Sequence, residues 1–395
     1  MSSTAITHGM DGTLVAPDWP PLTLDEVRAL LGQFPSLGEA VRILSMSPRP
    51  LSAAGVVQTS SGRVFIKRHS RAVRDREGLL EEHRFLDHLA AHGAPAPHVI
   101  ASAAGETAIE AGDWVYEVHA VPEGMDLYGE AISWTPFRIA AHAHAAGAAL
   151  ARLHLAARGF RAPARRPRPL VASFSIFAAH DPLLAMARYL AARLSIARHA
   201  GVRVCAARAL ELLMPFHAEL APLVPALGQL WTHNDLHASN LFWSDGSDEA
   251  RVTAVIDFGL ADRTCAVHDL ANAIERNIVE WLRLVNDPAH PDDVPVHMDH
   301  LEALLDGYET VRPLTPEEAA ALAPMTALCH AEFALSEADY FLGALGSEEK
   351  AAMAYDGWLV GHAQWFHGNA GRKLLDALRR RAKASQRRAA RGKVQ

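Results

Sequence analysis

Between residues 60 and 120 the spacing of apolar positions switches from two to three or four and back to two. Val64 and Ile66 alternate with Arg63, Phe65 and Lys67 after a Ser60-Ser61-Gly62 turn, which predicts a strand over 63–68. Leu79, Leu80, Phe85, Leu86 and Leu89 then share one side of a helix over 77–91, and Gly93-Ala94-Pro95-Ala96-Pro97 reads as a loop. Residues 113–119 return to a strand. Farther on, Thr135 as cap, Pro136 at the first helical position, an alanine-rich body through Leu155 and Gly159 as stop predict a long helix. Two apolar runs, 241–243 and 252–256, flank a polar gap at 244–249 and read as strands joined by a turn. A helix starting at Asp269 carries Leu270, Ala273, Ile274 and Ile278 on one side, and further helices are expected at 325–345 and 358–366. Residues 163–169 read as a loop, and the prolines and acids of 290–300 as a solvated linker.

Half of the 395 residues are hydrophobic, enough to bury one large or two moderate cores. A net charge of -7 argues against a nucleic-acid partner. The run 372–393 is an exception, with Asp376 its only acid, and reads as a frayed, solvated terminal helix. Cys205, Cys265 and Cys329 have no paired spacing, and His142 and His144 fall on different helix faces, so no metal or disulfide framework is indicated there. Residues 1–20 lack a charged-then-apolar leader and no long apolar span follows, which points to a reducing cytoplasm and no membrane partner.

Candidate chemistry sits in two short motifs. His233, Asp235, Leu236 and Asn240 form H-x-D-L-x-x-x-N, and Ile256 to Gly259 form I-D-F-G. Phosphoryl transfer leaves a protein little covalent work: it must align an acceptor oxygen with the γ-phosphorus and neutralise phosphate charge. Asp235 suits an acceptor-orienting base. Asn240 and Asp257 offer hard oxygen donors to Mg²⁺, and the strand–turn–strand between them would bring both to one end. His233 is expected to brace the loop.

On these residues the chain resembles the aminoglycoside phosphotransferase superfamily, which includes choline kinases and type II homoserine kinases. The resemblance implies an α+β, bilobal, protein-kinase-like fold with a small antiparallel-sheet N-lobe over 22–118, a hinge at 119–124 and a larger, mostly helical C-lobe over 125–371. A flexible segment (1–21) and a basic tail (372–395) would flank them. It further implies that Lys67 holds nucleotide phosphates and that Glu82 pairs with it, Glu81 and Glu77 being alternates. His119 and Val121 would meet the adenine through backbone groups, Asp269 would tether the catalytic loop, and Glu332, Glu337 and Asp339 would shape the acceptor pocket. Two departures stand out: no G-x-G-x-x-G lies between Val41 and Thr59, and Asn234 replaces a glycine frequent in the family.

The resulting expectation is a Mg²⁺-dependent kinase moving the γ-phosphoryl of ATP, or of GTP, to a hydroxyl of a small molecule. An aminoglycoside-like amino alcohol is the favoured acceptor, with homoserine, choline or another metabolite as alternatives. A nucleotide-binding regulatory pseudokinase is the rival of another class; Lys67, Asp235 and Asp257 all speak against it. A serine/threonine protein kinase would need the missing glycine-rich loop and an A-P-E segment.

Overall fold

The structure, a computed structural model, describes residues 7–392. An antiparallel sheet carries the first third of the chain. Its strands β1 (Ala40–Met46), β2 (Ala53–Thr59), β3 (Gly62–Ser70), β4 (Ile109–Ala111) and β5 (Trp114–Ala120) lie in the order β1-β2-β3-β5-β4. The period of two in β3 sorts its side chains. Val64 and Ile66 join Val57 and Val118 in a core closed by helix α1 (Leu24–Leu31), whose start is fixed by a Thr23–Glu26 capping box. Lys67, one residue on, faces the opposite side. Helix α2 (Arg76–Ala91) is capped by Asp75, whose carboxylate accepts from the Gly78 N–H at 2.7 Å, and buries Leu79 against Val115.

The rest is mostly helical, in keeping with a bilobal protein-kinase-like fold. Helix α3 (Ala140–Ala156) lies against a later helix, α5 (Met298–Val311), at backbone contact. A Cβ added at Gly147 would sit 2.0 Å from the Leu304 carbonyl oxygen, and one at Gly307 would sit 1.9 Å from that of His144. Strands β6 (Gln229–Thr232), β7 (Leu241–Trp243), β8 (Val252–Val255) and β9 (Asp262–Cys265) form two antiparallel pairs, β7–β8 and β6–β9, that hold the two motifs side by side. Helix α4 (Ala266–Ile278) follows and is buried along its whole length.

Several expectations need correction. Helix α3 starts at Ala140, because Trp134 is left-handed (φ 67°) and the Arg138 N–H is taken by the Tyr128 hydroxyl at 2.9 Å, which keeps residues 134–139 out of the helix. The stretch 325–345 is divided between α6 (Pro316–Leu328) and α7 (Ala331–Gly343), with a turn at Cys329 and His330. Residues 358–366 straddle a π-helical segment, Met353–Gly361, and a short α-helical turn. The 290–300 region is more than a linker, since the Asp292 carboxylate accepts from the N–H groups of Asn369 and Ala370 at 2.7 and 3.3 Å, at the start of α8 (Asn369–Gly392). Nor is the basic tail free through its first half. Leu374, Leu375 and Leu378 are buried, and Arg381 reaches Glu302, Asp306 and Glu309 at 2.6–2.8 Å.

The segment before α1 is likewise a bound strap. Thr7–His8 pairs with Leu14–Val15, Trp19 donates to the Tyr340 hydroxyl on α7 at 3.0 Å, and its ring meets Trp114 of β5 edge-on at 5.7 Å. Residues 1–6 lie outside the described residues. Among the described residues no helix is long and apolar enough to cross a membrane.

Candidate active site

The loop after β6 is shaped by one carboxylate. Asp269, in the first turn of α4, accepts from the backbone N–H groups of His233 and Asn234 at 2.9 and 2.7 Å and from His154 Nε2 at 3.0 Å. Burial disfavours its charge, yet these donors hold its carboxyl below the usual range. Asn234 is left-handed (φ 62°), a conformation that glycine and asparagine tolerate best, so its departure from glycine preserves the backbone. Its amide also donates to the Ala172 and Leu260 carbonyls at 3.0 and 3.3 Å. His233 donates from Nε2 to the Ile256 carbonyl (2.9 Å) and accepts the Asp235 N–H at Nδ1 (3.1 Å), tying the two motifs together.

Asp235 sits 3.2 Å from Arg276 Nη1, and the Asn240 amide donates to its backbone oxygen at 2.9 Å and to Oδ2 at 3.3 Å. Burial pushes its carboxyl up to about 6 against the pull of Arg276. Asp257 behaves in the opposite way. Burial would raise it too, but Lys67 Nζ lies 2.9 Å from Oδ1 and holds it well below the usual carboxylate range. The Ile256 N–H donates to the Asn240 carbonyl at 2.9 Å, which keeps Asn240 and Asp257 on adjoining backbone.

Lys67, Asp235, Asn240, Asp257, Arg276 and Glu337 line one cavity of about 480 Å³. The strap from His8 to Thr13 also borders it. Three of its contributors escaped the sequence reading. Arg49, between Pro48 and Pro50 in the β1–β2 loop, lies in the stretch that lacks a glycine-rich motif. Its guanidinium donates to the Ala131 carbonyl at 2.9 Å and feels Asp257, Asp126 and Asp235. Arg276 belongs to a fully buried helix, where an arginine requires a partner, and that alone could have flagged it. The strap, expected as a flexible segment, is the third.

Other expected residues lie elsewhere. Glu82 does not pair with Lys67: Arg74 and Arg165 stand 3.7 and 3.6 Å from its carboxylate, and the same two guanidinium groups donate to the Gly259 carbonyl. Lys67 turns instead to Asp257. His119 is a sheet residue, since β5 runs through Ala120, and its imidazole is held by Glu117 at 3.0 Å; neither it nor Val121 lines the cavity. Glu332 is consumed by the Ser175 and Ile176 N–H groups at 2.5 and 2.6 Å, and Asp339 by Ser195 and Arg193. Only Glu337 of the three acids faces the cavity, and burial pushes its carboxyl up to about 8, with Arg276 opposing.

Comparison with known proteins gives concordant findings. Residues 55–333 match the Phosphotransferase enzyme family. A homoserine kinase of Caulobacter sp. (strain K31) is 26% identical over 300 residues, covering 75% of this chain and 80% of its own. A choline/ethanolamine kinase family protein from Mesorhizobium loti superposes with a TM-score of 0.51 at 16% identity, over 90% of this chain and 98% of its own. A thermostable mutant of an aminoglycoside phosphotransferase, in ternary complex with ADP and hygromycin B, gives 0.50 at 15% identity, over 87% and 99%.

Proposed function

The chain belongs to the phosphotransferase enzyme family, and from that premise we propose that its cleft moves the γ-phosphoryl of ATP to a hydroxyl of a small, singly cationic amino alcohol. Asp235 orients the acceptor hydroxyl and takes its proton. Lys67 and Arg49, which both line the cavity, bind phosphate oxygens as cations. Asn240 and Asp257 would hold Mg²⁺: both are hard oxygen donors, Asp257 is kept ionised, and the Asn240 amide nitrogen is turned to Asp235, leaving its oxygen for the ion. Bound there, the metal neutralises charge on the phosphates. Arg276 keeps Asp235 ionised and in place.

The observation that carries the acceptor class is Glu337. It is a buried acid in a mostly apolar wall that includes Ile132, Trp134 and Phe333, and its Oε2 has no hydrogen-bond partner among the described residues. One buried carboxylate matches one ammonium; a polycationic aminoglycoside would require more. Homoserine is the second reading, favoured by the homoserine kinase relative, with Arg49 as candidate partner for a substrate carboxylate. The test is ADP release and phosphorus NMR of products over a panel of ethanolamine, choline, homoserine and aminoglycosides, with ATP and with GTP. Turnover is expected with a small amino alcohol. Turnover confined to the polycationic aminoglycosides would overturn the reading.

A further inference from the structure

We propose that Glu275, His330 and His362 bind one divalent transition-metal ion, Zn²⁺ rather than Mg²⁺, inside the helical lobe and apart from the phosphoryl-transfer cleft. The three side chains come from α4, from the turn between α6 and α7, and from the start of the α-helical turn that follows the π-helical segment, and all are at most 3% exposed. Among the described residues neither carboxylate oxygen of Glu275 and no ring nitrogen of His330 or His362 has a hydrogen-bond partner. Six unsatisfied polar atoms in one buried spot would be costly by themselves.

The spacing explains them. Glu275 Oε1 lies 3.5 Å from His330 Nδ1 and 3.4 Å from His362 Nδ1, too long for charge-assisted hydrogen bonds. A tetrahedral ion with bonds of about 2.0–2.1 Å sets its ligands about 3.3–3.4 Å apart. The cluster around Glu117 makes the contrast. There His69 and His83 hydrogen-bond to the two carboxylate oxygens at 2.9 Å, and both oxygens of Glu117 have partners. Two imidazoles and a carboxylate are donors suited to Zn²⁺ and poor for Mg²⁺. The rings cannot turn away: His362 stacks on Trp281 at 3.7 Å, and His330 packs edge-on to Trp134 at 5.8 Å. A water takes the fourth position. The ion is structural, holding α4, beside Arg276, to the turn that starts α7.

The test is metal analysis of untagged full-length protein. The expected result is about one zinc per chain, retained through gel filtration, removed by a strong chelator with a fall of a few degrees in Tm, and restored by Zn²⁺ but not by Mg²⁺. Co²⁺ should give the visible spectrum of a tetrahedral site. E275Q and H362Q should each lose the ion, whereas H297Q, at the half-buried His297 that stacks on His300, should keep it. Should the variants fail to fold, anomalous scattering at the zinc edge from crystals of the unaltered protein locates the ion. Protein that neither carries nor takes up zinc, uptake unchanged in E275Q, or an anomalous peak elsewhere would overturn the proposal.

Discussion

Arg276→Met isolates the part of the site that is electrostatic. The guanidinium stands 3.2 Å from the Asp235 carboxylate and is 1% exposed, over the ring of Phe333 at 4.8 Å. At an effective dielectric of about 20 the pair is worth at most about 5 kcal/mol, and an opposite charge this close lowers a carboxyl by about 1–3 units. Removing it should therefore carry Asp235 from about 6 to about 7–9. At pH 7 the ionised fraction falls from about nine-tenths to between about half and one-hundredth, so kcat/KM should drop by about 2- to 100-fold and recover in alkaline buffer. Because the loss is one of protonation, its signature is a displaced acid limb rather than a lowered plateau. The assay is kcat/KM for the acceptor against pH at saturating nucleotide and Mg²⁺, run also in a Glu337→Gln background to remove a second cavity carboxyl that feels Arg276. Thermal unfolding is the control: breaking a buried pair costs about 3–5 kcal/mol, part of which Asp235→Asn should return. An acid limb within about half a unit of the parent, or a loss equal at every pH, would refute the argument.

Asp257→Asn removes the charge that faces Lys67 and should raise the Mg²⁺ concentration needed for nucleotide binding; an unchanged Mg²⁺ titration counts against that role. Glu337→Gln should raise the KM for an amine acceptor and leave that for ATP alone. In the parent, a cation must displace the proton held at about 8, so acceptor KM should fall as pH rises toward that value and be flat in the variant. Asp269→Asn should lower stability by about 2–4 kcal/mol, since it weakens two backbone hydrogen bonds to a buried carboxylate. The folded carboxyl is depressed, so that contribution is present above the unfolded pKa and lost as pH falls through the folded one; a pH-independent difference in urea midpoints would contradict it.

What could be read from the chain follows from the range of the forces involved. Strand β3, helix α2, strand β5 and the β7–β8 hairpin rest on local periodicity and turn residues, and their limits were legible to within a residue or two. So was the conjunction of His233, Asp235, Asn240 and Asp257, because the loop that joins them is short. Contacts that depend on packing over long separations were not. The Lys67 partner is decided by Arg74 and Arg165, which claim Glu82 from two different segments. The start of α3 is decided by Tyr128, and the docking of α8 by acids on α5.

The acceptor acids mark a point where local geometry did contain the answer. On a helix of about 100° per residue, Glu332 and Asp339 are seven positions apart and share a face to within about 20°, while Glu337 points about 140° and 160° away from them. One helix cannot turn all three carboxylates into one pocket. The shared face meets the Ser175–Ile176 backbone and Arg193, and both carboxylates are spent there as fasteners. The opposite face meets Arg276 and the cavity, and it carries a single acid. The charge available to an acceptor on α7 is therefore one and not three, which supports the proposed monocation and is why Glu337 alone, among these acids, should control its KM.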